Sequence, residues 1–381
     1  MSARIPLSVL DLVPISSGST ARQALANSVD LARRAECQGY LRYWVAEHHL
    51  NPGVAGTSPA LLIALIAGAT QDIRVGSGAV QMGHTTPLSV VEQFGILDTL
   101  YPGRIDLGLG RSVFRRPSGG SGRTTDGARR AATRTPEGLL LPPPFPYAHL
   151  LGSPRFALQM DLLQQPEAKT PDYADQVADV LALLGGTYCS AAGAEAHVVP
   201  GEGAEVDVWI LGSSGGASAA VAGARGLRFA SNYHIAPSNV VEAVDAYRAA
   251  FRPSPHLPAP YVAVSADVVV ADTDEAAREL AAGYALWVRS IRTAEGAIQF
   301  PTPDEARRHM WSDADRELVQ DRVDTQFVGS PETVVEALDV LARATGADEL
   351  IITTITHDHA DRVRSYELLQ RAWARDVQVA V

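Results

Sequence analysis

The strongest constraint on the fold of this 381-residue chain is a repeated alternation of short apolar strands with helices. Eight rounds can be counted, and the predicted strands cover residues 5–12, 41–46, 73–80, 104–109, 206–211, 227–230, 261–270 and 349–354. Strict alternation indicates parallel βα units, because a parallel strand pair needs a crossover connection. Eight such units most simply close into a (β/α)8 TIM barrel, which uses about 250 residues. The sequence therefore predicts an α/β barrel.

Two stretches interrupt this alternation. Residues 111–171, after the fourth strand, are rich in Gly, Pro, Arg and Ser, and residues 291–326, after the seventh helix, are polar. We interpret both as excursions from one domain spanning residues 1–381. The first is either a lid over the pocket or an ordinary surface loop. A doubly wound open sheet is the competing fold, but residues 13–18 lack the glycine fingerprint expected after its first strand.

Composition limits the classes of partner. The net charge of -11 argues against nucleic acid or an anionic membrane, since both reward a basic surface, and favours a small-molecule substrate. Only Cys37 and Cys189 occur, so no disulfide framework or cysteine metal cluster is available, and we expect two buried reduced thiols. The sequence shows no long apolar signal segment or membrane span, so we expect a cytoplasmic protein.

The tetrad at residues 46–49, where the second strand stops, indicates chemistry. Catalytic residues of a barrel come from the carboxyl ends of its strands, and here Glu47 and His48 occupy such an end. His48 and His49 are adjacent and face opposite ways in an extended chain, so they do not readily bind one metal ion. We predict that His48 and Glu47 are catalytic and that there is no metal site. A purely structural histidine is the alternative.

Other strand ends carry glycine and polar residues. The turn formed by Gly212, Ser213 and Ser214 opens a helix, which suits an anion such as phosphate, although a plain turn with serine caps is also consistent. Arg111, at the end of the neighbouring strand, could pair with the same phosphate. The glycines around Ser77 suggest either a bulge against a ligand or close packing. Further predicted pocket residues are His84, Tyr233, His234 and His357.

Several longer motifs together resemble those of the bacterial-luciferase-like flavin-dependent monooxygenases, or luciferase-like monooxygenases. They are residues 43–49 (YWVAEHH), 57–59 (TSP), 74–80 (RVGSGAV), 97–111 (LDTLYPGRIDLGLGR), 209–214 (WILGSS) and 327–332 (FVGSPE), with Pro87, Glu92 and Gln93. The resemblance covers nearly the whole chain apart from the excursions. It implies a (β/α)8 barrel, in agreement with the strand count.

The resemblance also implies a function. Reduced FMN would bind at the carboxyl face as a cosubstrate and react with O2 to a flavin C4a-peroxide, which inserts one oxygen atom into a small organic substrate, apolar or aromatic. His48 matches the family's catalytic histidine. Gly78 and Ala79 fall where the family often has a cis peptide against the flavin ring. Arg111 and residues 212–214 match positions near the flavin phosphate.

The resemblance leaves two alternatives open. Relatives that use deazaflavin F420 transfer hydride instead of oxygen, but they commonly carry Asp-His where this chain has Glu47 and His48, which favours FMN. A non-catalytic flavin-binding barrel is the second alternative. The Gly108-x-Gly110 pair lacks a third glycine and is weak evidence for a dinucleotide site, so we expect a separate NAD(P)H:flavin reductase to supply reduced FMN. A homodimer is the family-like expectation.

Overall fold

The fold is taken from a computed structural model, which describes residues 4–111 and 131–375. The strands in chain order are β1 (Leu7–Asp11), β2 (Arg42–Val45), β3 (Arg74–Ser77), β4 (Val80–Gln81), β5 (Ile105–Gly110), β6 (Thr133–Arg134), β7 (Leu140–Leu141), β8 (Asp207–Gly212), β9 (Arg228–Asn232), β10 (Val262–Val270), β11 (Phe327–Gly329) and β12 (Glu349–Thr353).

The helices complete the alternation. In chain order they are α1 (Ala21–Gln38), α2 (Pro59–Ala67), α3 (Pro87–Leu100), α4 (Ala148–Leu151), α5 (Pro154–Leu163), α6 (Tyr173–Leu184), α7 (Ala217–Ala224), α8 (Val240–Ala250), α9 (Asp274–Leu280), α10 (Tyr284–Arg292), α11 (Pro303–Arg308), α12 (Asp313–Asp324), α13 (Pro331–Thr345) and α14 (His359–Arg375), with a 3₁₀ turn at Pro237–Asn239.

Eight parallel strands close into a barrel. Their order around the ring is β1, β2, β3, β5, β8, β9, β10 and β12, and β12 pairs with β1. Each of the eight predicted strands is present, so the prediction of a (β/α)8 barrel is confirmed. Local chemistry explains the first connection: the Thr20 side chain caps α1 at Gln23 N, and Gly39 ends the helix with a φ of 84°.

The excursions contain more regular structure than their composition suggested. Residues 291–326 include α11 and α12, each of which begins with a capping box, at Thr302 and at Ser312. The short strand β11 follows and pairs with β10. In the first excursion, the described residues form the β6–β7 hairpin and the helices α4 and α5. Residues 112–130, at the start of the segment predicted to be a lid or a surface loop, lie outside the described residues.

The amino-terminal end of the barrel is closed by charged side chains. Arg42 donates to both Asp106 carboxylate oxygens at 3.0 and 2.9 Å and to both Glu349 oxygens at 3.1 Å. Above this layer, Trp44 and Trp209 pack edge to face with ring centroids 4.9 Å apart. Because this end is filled, the site must lie at the other end, which we call the mouth: the carboxyl ends of the strands with their following loops.

Two further findings concern the surface. The expectation of buried thiols is wrong, because Cys37 and Cys189 are both exposed. Cys37 lies on α1, whose buried face is formed by other residues, among them Leu31 and Ala35. Within residues 4–111 and 131–375, none of the helices has both the length and the apolar character needed to cross a membrane.

Candidate active site

His48 lies in the mouth beyond the end of β2. Its backbone N–H donates to Gly56 O at 2.7 Å, which fixes the loop, and its side chain is half-buried. Nδ1 is buried and has no hydrogen-bond partner among the described residues. Burial lowers the pKa of His48 to about 4, against a smaller opposing effect of Glu47. The imidazole is therefore neutral at pH 7 and has an unpaired nitrogen.

The Glu47 carboxylate is held by its neighbours and not by His48. Oε1 lies 2.8 Å from Nε2 of His49 and 2.8 Å from Nε2 of His84, and Oε2 accepts from Gln81 N at 2.8 Å. Burial alone would raise the pKa of Glu47, but the hydrogen bonds from His49, His84 and Gln81 lower it below its usual value. The catalytic role predicted for Glu47 stays a prediction, and the geometry gives the residue a fixed, ionised position beside His48.

The backbone after β3 runs close to the barrel wall. The Gly78–Ala79 peptide bond is cis, as the resemblance implied. A Cβ on Gly78 would lie 2.8 Å from Leu10 Cδ1, so only glycine fits there without displacing a neighbour. The Ser77 hydroxyl exchanges hydrogen bonds of 2.9 Å with Gly108 N and O and is fully buried. The predicted cofactor contact of Ser77 therefore cannot use the hydroxyl without breaking these bonds.

The predicted phosphate turn lies beside Arg111. Strands β5 and β8 are neighbours, with Gly110 opposite Leu211, so Arg111 and the turn at residues 212–214 leave adjacent strand ends. Ser213 and Ser214 are exposed, and α7 begins after Gly216 without a side-chain cap. Unsatisfied N–H groups at a helix start attract anions. The structure thus brings Arg111 and the turn together as the sequence predicted.

His234 faces the mouth from the opposite side. It follows β9, which is four strands away from β2 in either direction around the ring. Its Nδ1 lies 2.6 Å from Ser265 Oγ. Burial, with smaller effects of Arg322 and His48, lowers the pKa of His234 well below its usual value. Two neutral imidazoles therefore flank the mouth.

The other predicted pocket residues use their polar atoms within the protein. The Tyr233 hydroxyl donates to Leu140 O at 2.7 Å and holds β7 against the barrel. His357 Nε2 lies 3.0 Å from Ser17 O, and His84 pairs with Glu47 as described above. These residues border the mouth, but their hydrogen bonds indicate support of the surrounding loops.

Sequence reasoning missed a buried ion pair beside His234. Arg322 of α12 donates from Nη2 to Asp267 Oδ2 at 3.0 Å, and the Tyr284 hydroxyl also donates to that carboxylate. Burial raises the pKa of Asp267 despite the opposing effect of Arg322. The available signal was Asp267 itself, an acidic residue inside the apolar run of β10. This pair ties the second excursion to the mouth.

The first excursion also contacts the loop that follows β2 and carries His48 and His49. Gln159 of α5 donates to His49 O at 2.8 Å, and Arg155 donates to Asn51 Oδ1 at 2.9 Å. In the middle of this excursion, Phe145 packs against the Arg292 guanidinium, whose central carbon lies 3.9 Å from the ring centroid. The described end of this excursion therefore forms a wall of the mouth.

Comparison with known proteins identifies relatives along nearly the full length. The chain is 38% identical over 368 residues to the uncharacterized protein YvbT of Bacillus subtilis (strain 168), covering 96% of each. It is 36% identical over 366 residues to the luciferase-like monooxygenase of Escherichia coli (strain K12), again covering 96% of each.

Solved structures share the fold. Apo-MsnO8 is 33% identical, with a TM-score of 0.76, and 97% of this chain and 98% of that chain are covered. A type II Baeyer-Villiger monooxygenase, the oxygenating constituent of 3,6-diketocamphane monooxygenase from Pseudomonas putida, was solved in complex with FMN. It is 21% identical with a TM-score of 0.66, covering 98% and 99% of the two chains. An F420-dependent secondary alcohol dehydrogenase is 14% identical with a TM-score of 0.61, covering 97% and 99%. The last two likenesses show the fold alone.

The family assignment follows from a match over most of the chain. The family model described as luciferase-like monooxygenase matches residues 5–139 and 163–349, which include seven of the eight barrel strands and the predicted site residues other than His357. With the full-length relatives above 30% identity, this match shows that the chain is a member of the luciferase-like monooxygenase family of oxidoreductases.

Proposed function

We propose that the protein is an FMNH2-dependent monooxygenase that inserts one atom of O2 into a small organic substrate. One observation carries the proposal. Four consecutive strands of the ring, β2, β3, β5 and β8, lead respectively into His48, Gly78–Ala79, Arg111 and the turn at residues 212–214. These groups suit a ligand with a flat ring and a phosphate tail. The ring would lie against the imidazole and the bare backbone, and the phosphate would lie at the guanidinium and the helix start.

The residues present fit the cofactor on physical grounds. The narrow gap at Gly78 leaves bare backbone beside Leu10, and the start of α7 offers unfilled N–H groups beside the exposed Ser213 and Ser214. Arg111 adds a positive charge next to that turn. When bound, reduced FMN would supply the electrons that activate O2. The protein's own part is to anchor the phosphate, to present the ring edge to His48 and to limit access of water.

His48 is the proposed proton carrier. It has a buried nitrogen without a partner in the described part of the chain, whereas His49 and His84 are both engaged with Glu47. A neutral imidazole with a free nitrogen can accept or return a proton at the reacting atoms, and positioned acid–base groups of this kind contribute about 10²–10⁴-fold to rates.

The first experiment tests the cofactor and the reaction class together. The protein is titrated with FMN and with F420 in separate runs, each in oxidised and reduced form, and binding is followed by fluorescence. Reduced FMN supplied by a separate NAD(P)H:flavin reductase should support substrate-dependent O2 uptake, and omission of the reductase should abolish it. Tight retention of F420 without FMN binding would contradict the assignment. FMN binding with O2 uptake no faster than that of free reduced FMN would indicate a non-catalytic barrel.

The second experiment tests His48. The His48→Gln variant should turn over about 10²–10⁴-fold more slowly with little change in FMN affinity, because it removes a proton carrier and no phosphate contact. His197→Gln is the matched control, since His197 is exposed and pairs with Glu202. Equal turnover by both variants would exclude His48 as the proton carrier.

We also propose a homodimer formed through α2 and α3. These helices pack on one another and carry large exposed apolar side chains: Leu61, Leu65, Leu88, Ile96 and Leu100. An apolar surface of this kind indicates a protein interface. Light scattering should give twice the 40.4 kDa chain mass, and Leu65→Glu should shift the protein to the monomer. A monomeric parent protein would contradict the proposal.

A further inference from the structure

Three metal-ligating side chains meet beside the catalytic loop. Glu47 and His49 follow β2, and His84 follows β4, 35 residues further on. One ligand atom from each lies within 4.8 Å of the other two. In the sequence, His49 has His48 as its neighbouring histidine, and adjacent side chains diverge in an extended chain, so the sequence predicts no metal site. In the structure, His84 and not His48 lies beside His49 and Glu47, although His84 is far from them in the sequence.

We propose that Glu47, His49 and His84 bind one divalent transition-metal cation of the zinc class. Two imidazole nitrogens and one carboxylate oxygen form a donor set that suits Zn²⁺ and neighbouring borderline metals. Mg²⁺ and Ca²⁺ prefer oxygen ligands and are expected to bind poorly. With three protein donors, the fourth tetrahedral position is left for water or another small ligand, as in open zinc sites.

The geometry of the cluster is convergent. Both Nε2 atoms point at the same Glu47 oxygen, each at 2.8 Å, and the two imidazole rings stand nearly perpendicular with centroids 5.1 Å apart. Tetrahedral zinc with bonds of about 2.1 Å places its donor atoms roughly 3.3 Å apart. The three donor atoms lie within 4.8 Å of one another, so a cation can enter if Oε1 withdraws slightly and the two imidazoles close on it by at most about 1.5 Å.

Supporting contacts hold the donors in position. Gln81 N donates to Glu47 Oε2 at 2.8 Å, which orients the carboxylate while Oε1 faces the histidines. The His49 carbonyl accepts from Asn51 Nδ2 at 3.0 Å and from Gln159 Nε2 at 2.8 Å, so the loop carrying His49 is fixed from two sides. Such outer contacts tune metal affinity because they set the direction of the ligands.

The cluster is also accessible. The side chain of His49 is 19% exposed, whereas those of Glu47 and His84 are 6% and 9% exposed. A metal ion therefore reaches the donors past His49 without opening the core. None of the three ligands is His48, so this inference does not depend on the proposed monooxygenase reaction.

The experiment uses the full-length protein after treatment with a chelator. Calorimetric titration with ZnCl2 should show one site per chain, and CoCl2 should give the visible absorption of a tetrahedral Co²⁺ complex. MgCl2 should give no comparable heat. The variants His49→Gln and His84→Gln should each weaken Zn²⁺ binding by at least the roughly 10–100-fold that even outer-contact changes cause. His197→Gln, which alters an exposed histidine paired with Glu202, should bind like the parent.

Circular dichroism of each variant establishes that the fold is retained, and His49→Gln is the safer of the two because His49 is the more exposed ligand. Absence of a one-site Zn²⁺ isotherm in the parent protein would overturn the proposal. So would unchanged Zn²⁺ affinity in both ligand variants, since the ion would then bind elsewhere. Equal affinity for Mg²⁺ would overturn the assigned metal class.

Discussion

The two ends of the barrel differ in how fully their buried polar groups are paired, although Arg228 Nε, at the start of β9, also has no partner among the described residues. At the amino-terminal end, Arg42, Asp106 and Glu349 are buried and each is held by direct ionic hydrogen bonds. At the mouth, five side chains have a buried polar atom without a partner among the described residues: His48 Nδ1, His84 Nδ1, Ser231 Oγ, Asn232 Oδ1 and Thr353 Oγ1.

This difference distinguishes polar residues that stabilise the fold from polar residues that serve the site. A buried polar atom without a partner costs about 1–3 kcal/mol, so a folded chain retains several of them only where something else requires them. In a barrel the carboxyl ends of the strands carry the site, whereas the opposite end serves the fold. Substitutions of the paired groups at the amino-terminal end should therefore lower stability, and substitutions of the unpaired groups at the mouth should change it little.

The largest effect is expected at Arg42. The variant Arg42→Met leaves the Glu349 carboxylate buried without its cation and leaves Asp106 with Arg74 alone, so the free energy of unfolding should fall by about 4 kcal/mol. Urea unfolding followed by circular dichroism measures this. Arg278→Met is the control, because Arg278 forms only exposed pairs, and its change should stay within about 0.5 kcal/mol. If the free energy of unfolding falls by a similar small amount in both variants, the ion pairs at the amino-terminal end do not stabilise the fold as the comparison of the two ends requires.

A second prediction tests whether pairing, and not position along the strand, decides stability. Asp11 ends β1 at the mouth side of the barrel, yet it accepts from Arg362 Nη2 at 2.7 Å and from Tyr43 at 2.6 Å. Burial would raise the pKa of Asp11, but Arg362, Ser28 and Tyr43 together lower it below 3.8. Asp11→Asn leaves Arg362 buried without its counter-charge and should lower the free energy of unfolding at pH 7 by about 3 kcal/mol.

The pH dependence gives the sign of this effect. A lowered carboxyl pKa contributes stability that is complete above the unfolded-state pKa and is lost as pH falls through the folded-state pKa. The difference between the parent and Asp11→Asn should therefore be constant from pH 7 to 5 and shrink below pH 3.8. Asp272→Asn, which alters an exposed ion pair with Arg364, should show no such trend. A difference independent of pH down to pH 3 would contradict the assigned role of the Asp11 charge.

The sequence predicted the scaffold well because its signals are local. Each barrel strand is an apolar run, and caps such as Thr20 and Gly39 are defined by a few neighbouring residues. The two capping boxes of the second excursion were equally local and were overlooked because the segment is polar. A capped, charged helix such as α12 therefore resembles a loop in composition.

The site was predicted only in part because its contacts join distant residues. That His48, Arg111 and the serine turn lie together at the mouth could be predicted since each follows a strand. Contacts such as His84 to Glu47, or Arg322 to Asp267, span 37 and 55 positions and depend on how helices and loops pack. No periodicity in the sequence encodes such pairs.

The smallest and most specific test compares two adjacent threonines at the end of β12. Thr353 Oγ1 is buried without a partner in the part of the chain that the structure describes, whereas Thr354 Oγ1 donates to Val268 O at 2.7 Å. Thr354→Val should therefore lower the free energy of unfolding by about 1 kcal/mol, and Thr353→Val should leave it unchanged or raise it by up to about 1 kcal/mol. Both changes replace a hydroxyl by a methyl group of similar size, so urea unfolding of the pair isolates the hydrogen bond. An equal loss in both variants would mean that the Thr353 hydroxyl is paired in solution, and the mouth would then hold fewer unsatisfied groups than the comparison of the two ends assumes.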